Sequence, residues 1–465
     1  MLNKKILLFA ASMLLASCGN PSTPASSNTG KDSSNPSSVE PDESYTEDES
    51  VSYDESEQSQ MSQDITYHGG SQTIKIVFHV DARTTEGQAY KRRIDMFNAA
   101  YSSVGLRAAP TFKARTAGGT DYELQLIAAQ LDGTLADIIT FDAPNCASYA
   151  DADLLYDITD KLSESEKKDF LSLNTYQNRV YGLPIQESSA GFFYNKKIFA
   201  DAGIDVSGIT VDNPWTFAQF KEVCAKLAKT GKTPVDMRLD ATNDETATYL
   251  LYSFIHAAGG QFLSEDGLTS TGYFNSDASK KGFQFLKDLV DANYTSYAIG
   301  ATDFFTGKVG MYLSSGWTIP DLDNKYPEQF PNRDSWGLLP YPCDVKRASA
   351  TGSWSYAITN NGTKDKTGVL ELLKWMASSD SSTAVTNATG MIPCRKSCNP
   401  AYQAGSPELV LYEQLAKTGI ERPITIGYPQ FTTVFSNVIY KMRDSDVNTT
   451  VDNAAKELQR QLDRI

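Results

Sequence analysis

The order of secondary-structure patterns is the strongest constraint on what this chain can fold into. Residues 73–80 (TIKIVFHV) alternate and then become continuously apolar, which is typical of a buried strand. Two segments with helical spacing, 89–101 and 121–131, separate this strand from a second apolar strand at 136–141, which ends at Asp142. Strands that alternate with helices in this way predict a parallel α/β sheet, and such sheets bind ligands at the carboxyl ends of their strands.

The same alternation continues along the rest of the chain. Further strands are predicted at 191–195, 308–313, 336–341 and 355–359, and further helices at 215–230, 246–258, 276–292, 369–378 and 450–465. About 400 residues of this pattern are more than one hydrophobic core accommodates. We therefore expect an α/β protein of more than one domain, with Asp81 and Asp142 at a strand-end edge.

The amino terminus has the features of an export signal. A positively charged start precedes an apolar run at 6–15, which is too short to span a bilayer as a helix. The run ends in Leu15-Ala16-Ser17-Cys18, which resembles the lipobox of bacterial lipoproteins. That resemblance implies a signal peptide of residues 1–17 and a lipid-bearing Cys18; an ordinary signal with a coincidental cysteine is the alternative. No other run reaches 18 apolar residues, so we expect a chain anchored to the membrane rather than threaded through it.

Residues 18–70 are predicted to be a disordered acidic tether that begins with Cys18. The segment is rich in Ser, Asn, Pro, Glu and Asp, a composition that buries too little apolar surface to offset the entropy of ordering. Residues 31–64 hold eleven acids and one base, and so carry −10 of the net charge of −15. This acidic balance argues against nucleic acid as a partner. The run lacks the Asp-x-Asp-x-Asp-Gly spacing of a calcium loop, so a solvated spacer is favoured.

The use of histidine and cysteine argues against a metal centre or another cofactor. The chain has only three histidines, and they are scattered along the sequence. Apart from Cys18 it has five cysteines without a Cys-x-x-Cys pair, which favours structural or buried thiols over zinc. An odd number leaves at least one of them unpaired, and the sequence does not say whether any two pair; they are Cys146, Cys224, Cys343, Cys394 and Cys398.

A series of motifs links this pattern to a known family. In chain order they are ADIITFD, YGLPIQESSAGFFYNKKIFADAGI, FFTGKVGMYLSSGW, WGLLPYP, GSWSYAIT, GMIPCRKS and YPQFTTVFSNVIYK. Together they resemble the extracellular solute-binding proteins of ABC sugar importers, the maltose-binding-protein class. The resemblance implies the type II periplasmic-binding-protein fold, in which two α/β lobes joined by hinge crossings close on a ligand. Carried onto this chain, lobe one is 71–187 plus 352–392 and lobe two is 188–351 plus 393–465.

The resemblance also implies aromatic contacts to a sugar in the cleft between the lobes. Aromatic rings cover the C–H faces of a sugar. Trp317, after the Ser-Ser-Gly turn, is the first candidate for stacking, and Trp354 in the Gly-Ser-Trp hinge crossing is the second. Tyr341 and Phe431 are expected in cleft-facing loops. For all four residues a packing role in the core or hinge is the alternative.

Carboxylates, amides and arginines are expected to bind the sugar hydroxyls, each of which both donates and accepts hydrogen bonds. The leading carboxylates are Asp142 and Glu187, with a solvated or hinge-bonding role as the alternative. Within the first strand-to-helix loop at least one side chain is expected to reach ligand, without an indication of which. The remaining candidates are Asp81, Arg83 and Glu86 of that loop, Gln186 at the first crossing and Arg395, which alternatively bridges the lobes through a salt bridge.

We therefore predict a monomeric lipoprotein on the extracytoplasmic face of a bacterial membrane that delivers a mono- or oligosaccharide to an ABC permease. A glycoside hydrolase also needs two carboxylates, but the eight β/α repeats of a barrel and a Gly-x-Ser-x-Gly elbow are missing, so no enzyme is expected. A binding protein for a peptide, amino acid, polyamine or anion, or a ligand-sensing subunit, remains open. The sequence does not name the sugar or its chain length.

Overall fold

The computed structural model describes residues 52–63, 65, 67–115, 121–239 and 245–465. Fifteen helices lie in these ranges: α1 (Glu55–Met61), α2 (Thr85–Tyr101), α3 (Asp121–Leu131), α4 (Cys146–Asp151), α5 (Glu164–Asp169), α6 (Lys196–Asp201), α7 (Phe217–Ala228), α8 (Glu245–Ala257), α9 (Asp277–Asp291), α10 (Ile319–Asn324), α11 (Thr367–Met376), α12 (Ser379–Thr389), α13 (Pro407–Thr418), α14 (Tyr428–Lys441) and α15 (Val447–Leu462).

Twelve strands in the same ranges form two six-stranded sheets. They are β1 (Gln72–Phe78), β2 (Leu106–Phe112), β3 (Ile138–Asp142), β4 (Asn174–Tyr176), β5 (Arg179–Pro184), β6 (Ser188–Asn195), β7 (Thr233–Asp236), β8 (Val309–Ser315), β9 (Trp336–Leu339), β10 (Ser349–Gly352), β11 (Trp354–Ile358) and β12 (Gly419–Ile420).

The first sheet has the order β2-β1-β3-β11-β5-β4. β1 pairs in parallel with β2 and β3, as expected for strands joined by helical crossovers, whereas β11 runs antiparallel to β3 and β5. In the register of β11 with β3, Trp354 lies opposite Asp142. The carboxyl ends of β1 and β3 therefore share one edge with the start of β11.

The second sheet has the order β12-β10-β6-β8-β7, with β9 also paired to β6. β7 and β8 are parallel, and β6 runs antiparallel to both β8 and β10. β8 ends at Ser315, and the chain turns there through Gly316 into Trp317. This edge of the second sheet therefore carries Trp317.

Three chain crossings join the two sheets. β5 continues into β6 through residues 185–187, and β10 continues into β11 through Ser353. Beside the first crossing, Glu187 pairs with Ile392 through backbone hydrogen bonds in both directions. The third crossing follows α12 and contains Ile392. It also reaches the end of β8, since a Cβ on Gly316 would lie 2.1 Å from the carbonyl oxygen of Gly390. Only a glycine permits this close backbone approach.

The α/β class and the two-lobe fold predicted from the sequence are confirmed. The helix expected at 215–230 begins at Phe217, where Thr216 and Gln219 form a reciprocal capping box. Six of the twelve strands were not predicted: β2, β4, β5, β7, β10 and β12. The sequence of β2, LRAAPTF, lacks a regular alternation, yet β2 pairs with β1 over its whole length. Tertiary pairing outweighs its weak local preference.

The predicted tether is structured near its end, which corrects the expectation for residues 52–63. Asp54 and Glu57 form a capping box that starts α1, and the side chains of α1 contact α2 of lobe one. Ile65 and Tyr67 pack against the core of lobe one. Composition favoured a solvated chain, but specific ion pairs and two apolar anchors order this part. The predicted signal peptide, Cys18 and the tether up to residue 51 lie outside the described residues.

Residues 394–398, which the expected division assigns to lobe two, lie against lobe one. Cys394 belongs to the hydrophobic core of lobe one, and Arg395 forms an ion pair with Asp169 at 2.7 Å. All five of the described cysteines are free thiols. In the described ranges, no helix combines the length and apolarity that a membrane crossing requires.

Candidate functional site

The candidate site lies where the strand-end edges of the two sheets face each other across the crossings. Lobe one contributes His79 after β1, Asp142 at the end of β3 and Trp354 at the start of β11. Lobe two contributes Trp317 after β8 and Tyr249 from α8. The crossing strands hold these side chains in fixed register, so one cleft has an aromatic group on each wall.

On the wall of lobe one, the aromatic side chains already stack on one another. The imidazole of His79 lies parallel to the indole of Trp354, with ring centroids 3.4 Å apart. Tyr122 meets the indole edge-on at 6.0 Å, and the guanidinium of Arg115 lies 5.0 Å from its ring. Burial and the charge of Arg115 hold the pKa of His79 well below its usual range, so His79 is neutral. Trp354 is thus part of a preformed stack.

On the wall of lobe two, a large aromatic surface is open to solvent. The side chain of Trp317 is 41% exposed, and its ring centroid lies 5.8 Å from that of Tyr249. Tyr249 is itself buried, and its hydroxyl shares a 2.8 Å hydrogen bond with Ser188 at the start of β6. Tyr249 is therefore fixed beside the indole of Trp317, and part of that indole is exposed to solvent.

A buried ion cluster connects the two walls. Arg422 of lobe two donates to both carboxylate oxygens of Asp142, at 2.8 and 2.6 Å, and also pairs with Glu245 at the start of α8. Glu245 accepts further hydrogen bonds from Tyr428 and from Thr432. Burial alone would lower the pKa of Arg422, but the two carboxylates outweigh it and keep the guanidinium charged. Asp142 thus serves as a contact between the lobes.

The charged residues that follow β1 bind one another or a side chain of α2. Arg83 is exposed and pairs with Asp81, which lowers the pKa of Asp81 to about 2. Glu86 accepts a hydrogen bond from Tyr90 at 2.5 Å, and one of its oxygens lies 3.7 Å from Nε2 of His79. Of the three residues predicted here, Glu86 is thus the one that lies beside the stacked rings of lobe one, next to His79.

The first crossing places its two polar residues in buried positions. Gln186 accepts a 3.3 Å hydrogen bond from Thr389, and Glu187 accepts one from Ser172. Glu187 lines a cavity of about 350 Å³ that also reaches Gly352 and Arg422. Burial raises the pKa of Glu187 to about 8, so at neutral pH it is mostly protonated.

Three predicted residues lie away from the cleft. Tyr341 is buried in the core of lobe two, where its hydroxyl donates to the carbonyl of Leu250. Phe431 is fully buried in the same core. Arg395 packs over Phe170 and pairs with Asp169, both within lobe one, so it does not bridge the lobes. For these aromatic residues the structure shows the core alternative, since large apolar side chains after strands pack inward as readily as outward.

Sequence reasoning missed several residues of the site, among them Arg115, Glu123, Tyr249, Glu245 and Arg422. Glu123 belongs to α3, and Glu245 and Tyr249 belong to α8; the apolar pattern of these helices hides them, whereas Arg115 and Arg422 stand in polar segments without a motif. Burial raises the pKa of Glu123 to about 7, against the influence of Arg115, and its Oε2 has no hydrogen-bond partner among the described residues. Nor do the described residues contain a cluster of histidine, cysteine and carboxylate side chains that fits a metal ion.

The family model for bacterial extracellular solute-binding proteins matches residues 93–410 of this chain. Two relatives that are named only as binding proteins, from Brucella abortus and Brucella suis, are 26% identical over 276 residues. The match covers 58% of this chain and 64% of each relative, which is slightly less than two thirds of their length.

Solved structures share the fold along nearly their whole length. The cyclic α-maltosyl-1,6-maltose binding protein of Arthrobacter globiformis has a TM-score of 0.71 and 24% identity, and the match covers 84% of this chain and 99% of that one. Maltose-bound MalE3 of T. maritima has a TM-score of 0.69 and 18% identity, over 83% and 99%. UgpB of Mycobacterium tuberculosis, in complex with glycerophosphocholine, has a TM-score of 0.69 and 20% identity, over 85% and 99%.

Proposed function

The chain belongs to the bacterial extracellular solute-binding proteins, a family that binds solutes outside the cytoplasm, and on this premise we propose that it captures a carbohydrate between its lobes and delivers it to an ABC permease. The observation that carries the proposal is the open indole of Trp317 at the cleft edge of β8. An exposed tryptophan that is held from one side offers a flat apolar face to the C–H surface of a sugar ring.

The polar groups around the cleft fit a neutral, hydroxyl-rich ligand. Glu86, Glu123 and Glu245 can accept hydrogen bonds from hydroxyls, while Arg115 can donate. Both carboxylate oxygens of Asp142 already accept from Arg422, which also pairs with Glu245. A strongly anionic solute would have to compete with these two carboxylates for Arg422, so a sugar is favoured over an anion.

The same geometry supports a mechanism of capture by lobe closure. Asp142 belongs to lobe one and Arg422 to lobe two, so their ion pair exists only while the lobes are together. On opening, Arg422 would keep Glu245 as its partner within lobe two. Opening would therefore remove one of the two carboxylates that pair with Arg422, but not both. A ligand that contacts both lobes would shift the equilibrium toward the closed form.

We further propose the remaining features as expectations carried by the sequence. The lobes divide near residues 187 and 352 and, because residues 394–398 lie against lobe one, after residue 398. Cys18 carries the lipid anchor, and the mature protein is a monomer that presents its closed form to the permease. The structural relatives named for maltose and maltosyl sugars support the carbohydrate class. The relative bound to glycerophosphocholine keeps a non-sugar solute as the second candidate.

Calorimetry on the purified chain tests the ligand class. The panel contains mono- and oligosaccharides, amino acids, short peptides, polyamines and a glycerophosphodiester. We expect at least one sugar to bind more tightly than millimolar and the other classes not to. Tight binding of a non-sugar solute together with no sugar binding would overturn the carbohydrate assignment while leaving the family unaffected.

A further inference from the structure

The segment that precedes lobe one is held against it by polar contacts to two arginines of α2 and by apolar contacts to the lobe-one core. Nε of Arg92, on α2, donates to Oε1 of Glu57 at 2.8 Å, and its Nη2 pairs with Oε2 of the same carboxylate. Arg92 also donates to the carbonyl of Ser52 at 2.9 Å, and its guanidinium lies 4.8 Å from the ring of Tyr53. One arginine therefore binds the segment through a two-pronged ion pair, a backbone contact and an aromatic ring, a combination that an isolated surface ion pair lacks.

A second arginine of α2 joins the same segment to the interior of lobe one. Arg93 is only 3% exposed, and its Nη1 donates to Gln60 of α1 at 2.7 Å. Its Nε donates to Ser381 of α12 at 2.9 Å, and its guanidinium lies 4.9 Å from the ring of Trp375. Gln60 thus fills part of the hydrogen-bonding capacity of a buried cation. If α1 detached from lobe one, the buried guanidinium of Arg93 would lose a hydrogen-bond acceptor, which raises the free energy of the detached state.

Apolar contacts continue the attachment beyond the helix. Tyr67 is 6% exposed within the core of lobe one, and its hydroxyl donates to the carbonyl of Gly70 at 2.8 Å. Ile65 packs against the same core. The contacts thus begin at Ser52 and run up to β1.

We propose that residues 52–63, together with Ile65 and Tyr67, form a clasp that fastens the N-terminal chain to the outer face of α2, so that the chain leaves the protein at lobe one near Ser52. The consequence for an anchored protein rests on the proposed lipidation of Cys18, although the clasp itself does not. About 34 residues, 18–51, then remain between anchor and body instead of the 52 or so up to residue 69. At no more than about 3.5 Å per residue, the longest possible reach falls from roughly 180 Å to roughly 120 Å.

The clasp also decides which lobe follows the anchor. The contacts described between the clasp and the body go to lobe one: to Arg92 and Arg93 of α2, and to the lobe-one core. Opening and closing therefore moves lobe two relative to the anchor, while lobe one stays with it. A permease that meets the anchored protein would meet one whose tether is attached to lobe one.

Hydrogen exchange of the full-length chain tests the clasp. Backbone amides of 55–61 are expected to exchange at least tenfold more slowly than in an unstructured peptide, and Glu57→Lys should remove most of that protection. Arg92→Glu should do the same, and the combined charge swap, Glu57→Lys with Arg92→Glu, should restore part of it. Glu55→Lys, on the same helix but without a contact to α2, is the matched control and should leave the protection in place.

The proposal is overturned if the wild-type amides of 55–61 exchange at the rate of an unstructured peptide, or if the charge swap exchanges as fast as either single variant. Sugar affinity, measured on the same variants, should not change, because the clasp lies on the outer face of lobe one. A failure of the clasp with intact sugar binding is therefore distinguishable from a failure of the proposed function.

Discussion

The two walls of the cleft use aromatic side chains in opposite ways. On lobe one the indole of Trp354 is stacked on His79 at 3.4 Å and approached by Arg115, so the protein itself occupies its surroundings. On lobe two Trp317 has one aromatic neighbour at 5.8 Å and is 41% exposed. A tryptophan at a predicted contact position is thus a ligand platform only where the protein leaves a ring face open. We expect lobe one to provide rigidity and lobe two to provide contact area.

The residue that joins the two walls should have the largest effect on stability. Arg422→Met leaves Asp142 and Glu245 buried without their shared cation, and breaking a buried ion pair from one side costs about 3–5 kcal/mol. We expect the free energy of unfolding, measured by denaturant titration, to fall by that order. Arg443→Met is the control: its pair with Asp444 is exposed, so a much smaller loss is expected. Equal losses in the two variants would contradict the role of Arg422.

The two tryptophans should separate stability from binding. Trp354→Ala removes the stack on His79 and should lower the free energy of unfolding by about 3 kcal/mol, as large aromatic deletions do. Trp317→Ala should change stability little but weaken sugar binding at least tenfold, which corresponds to about 1.4 kcal/mol. Thermal melts and calorimetry on both variants check the pair. If Trp317→Ala binds sugar as tightly as the wild type, the distinction between the walls is wrong.

The hinge between the walls should make stability depend on pH. The pKa of Glu187 is raised by burial to about 8 in the folded protein, above its ordinary value near 4.5. The folded state therefore holds a proton that the unfolded state releases, so this contribution is complete below about pH 4.5 and is lost as the pH rises toward 8. Between pH 5 and 7 we expect a loss of about 2 kcal/mol.

Glu187→Gln should remove the Glu187 part of that pH-dependent loss, because a neutral amide has no proton to release, while Glu123, whose pKa is also raised by burial, keeps its own part. Denaturant titrations of the wild type and the variant at pH 5 and pH 7 measure the difference, and Glu328→Gln, at an exposed position, is the control. If the free energy of unfolding changes between pH 5 and 7 by the same amount in the wild type and in Glu187→Gln, the assignment to Glu187 is wrong.

The smallest effect is expected behind the open tryptophan. Tyr249→Phe removes the hydroxyl that shares a hydrogen bond with Ser188 but keeps the ring beside Trp317. A loss of about 1 kcal/mol in the free energy of unfolding is typical for one such bond. Sugar affinity should stay within a few-fold of the wild type, as measured by calorimetry. A loss of affinity as large as that of Trp317→Ala would instead place the Tyr249 hydroxyl among the ligand contacts.

The site was predictable to the extent that a residue's place on a strand end defined its surroundings. Trp317 was expected after a strand and a Ser-Ser-Gly turn, and it lies there with an open face. Asp142 was expected at the end of its strand, but its partner is Arg422, 280 residues further along the chain. Tyr341 and Phe431 were placed in cleft-facing loops by analogy, and the core of lobe two buries both. Contacts over such separations leave no local signal in the sequence.

The sequence by itself determined the α/β class, the strongly apolar strands and the amphipathic helices, and the strand ends at which some functional residues would lie. These follow from the spacing of apolar residues, which each segment carries within itself. Only the tertiary structure decided which aromatic face stays open, which carboxylate is paired and that the end of the acidic segment is fastened to lobe one. Those properties depend on distant groups, such as His79 beneath Trp354 and Arg92 beside Glu57, that meet only when the sheets and helices have packed.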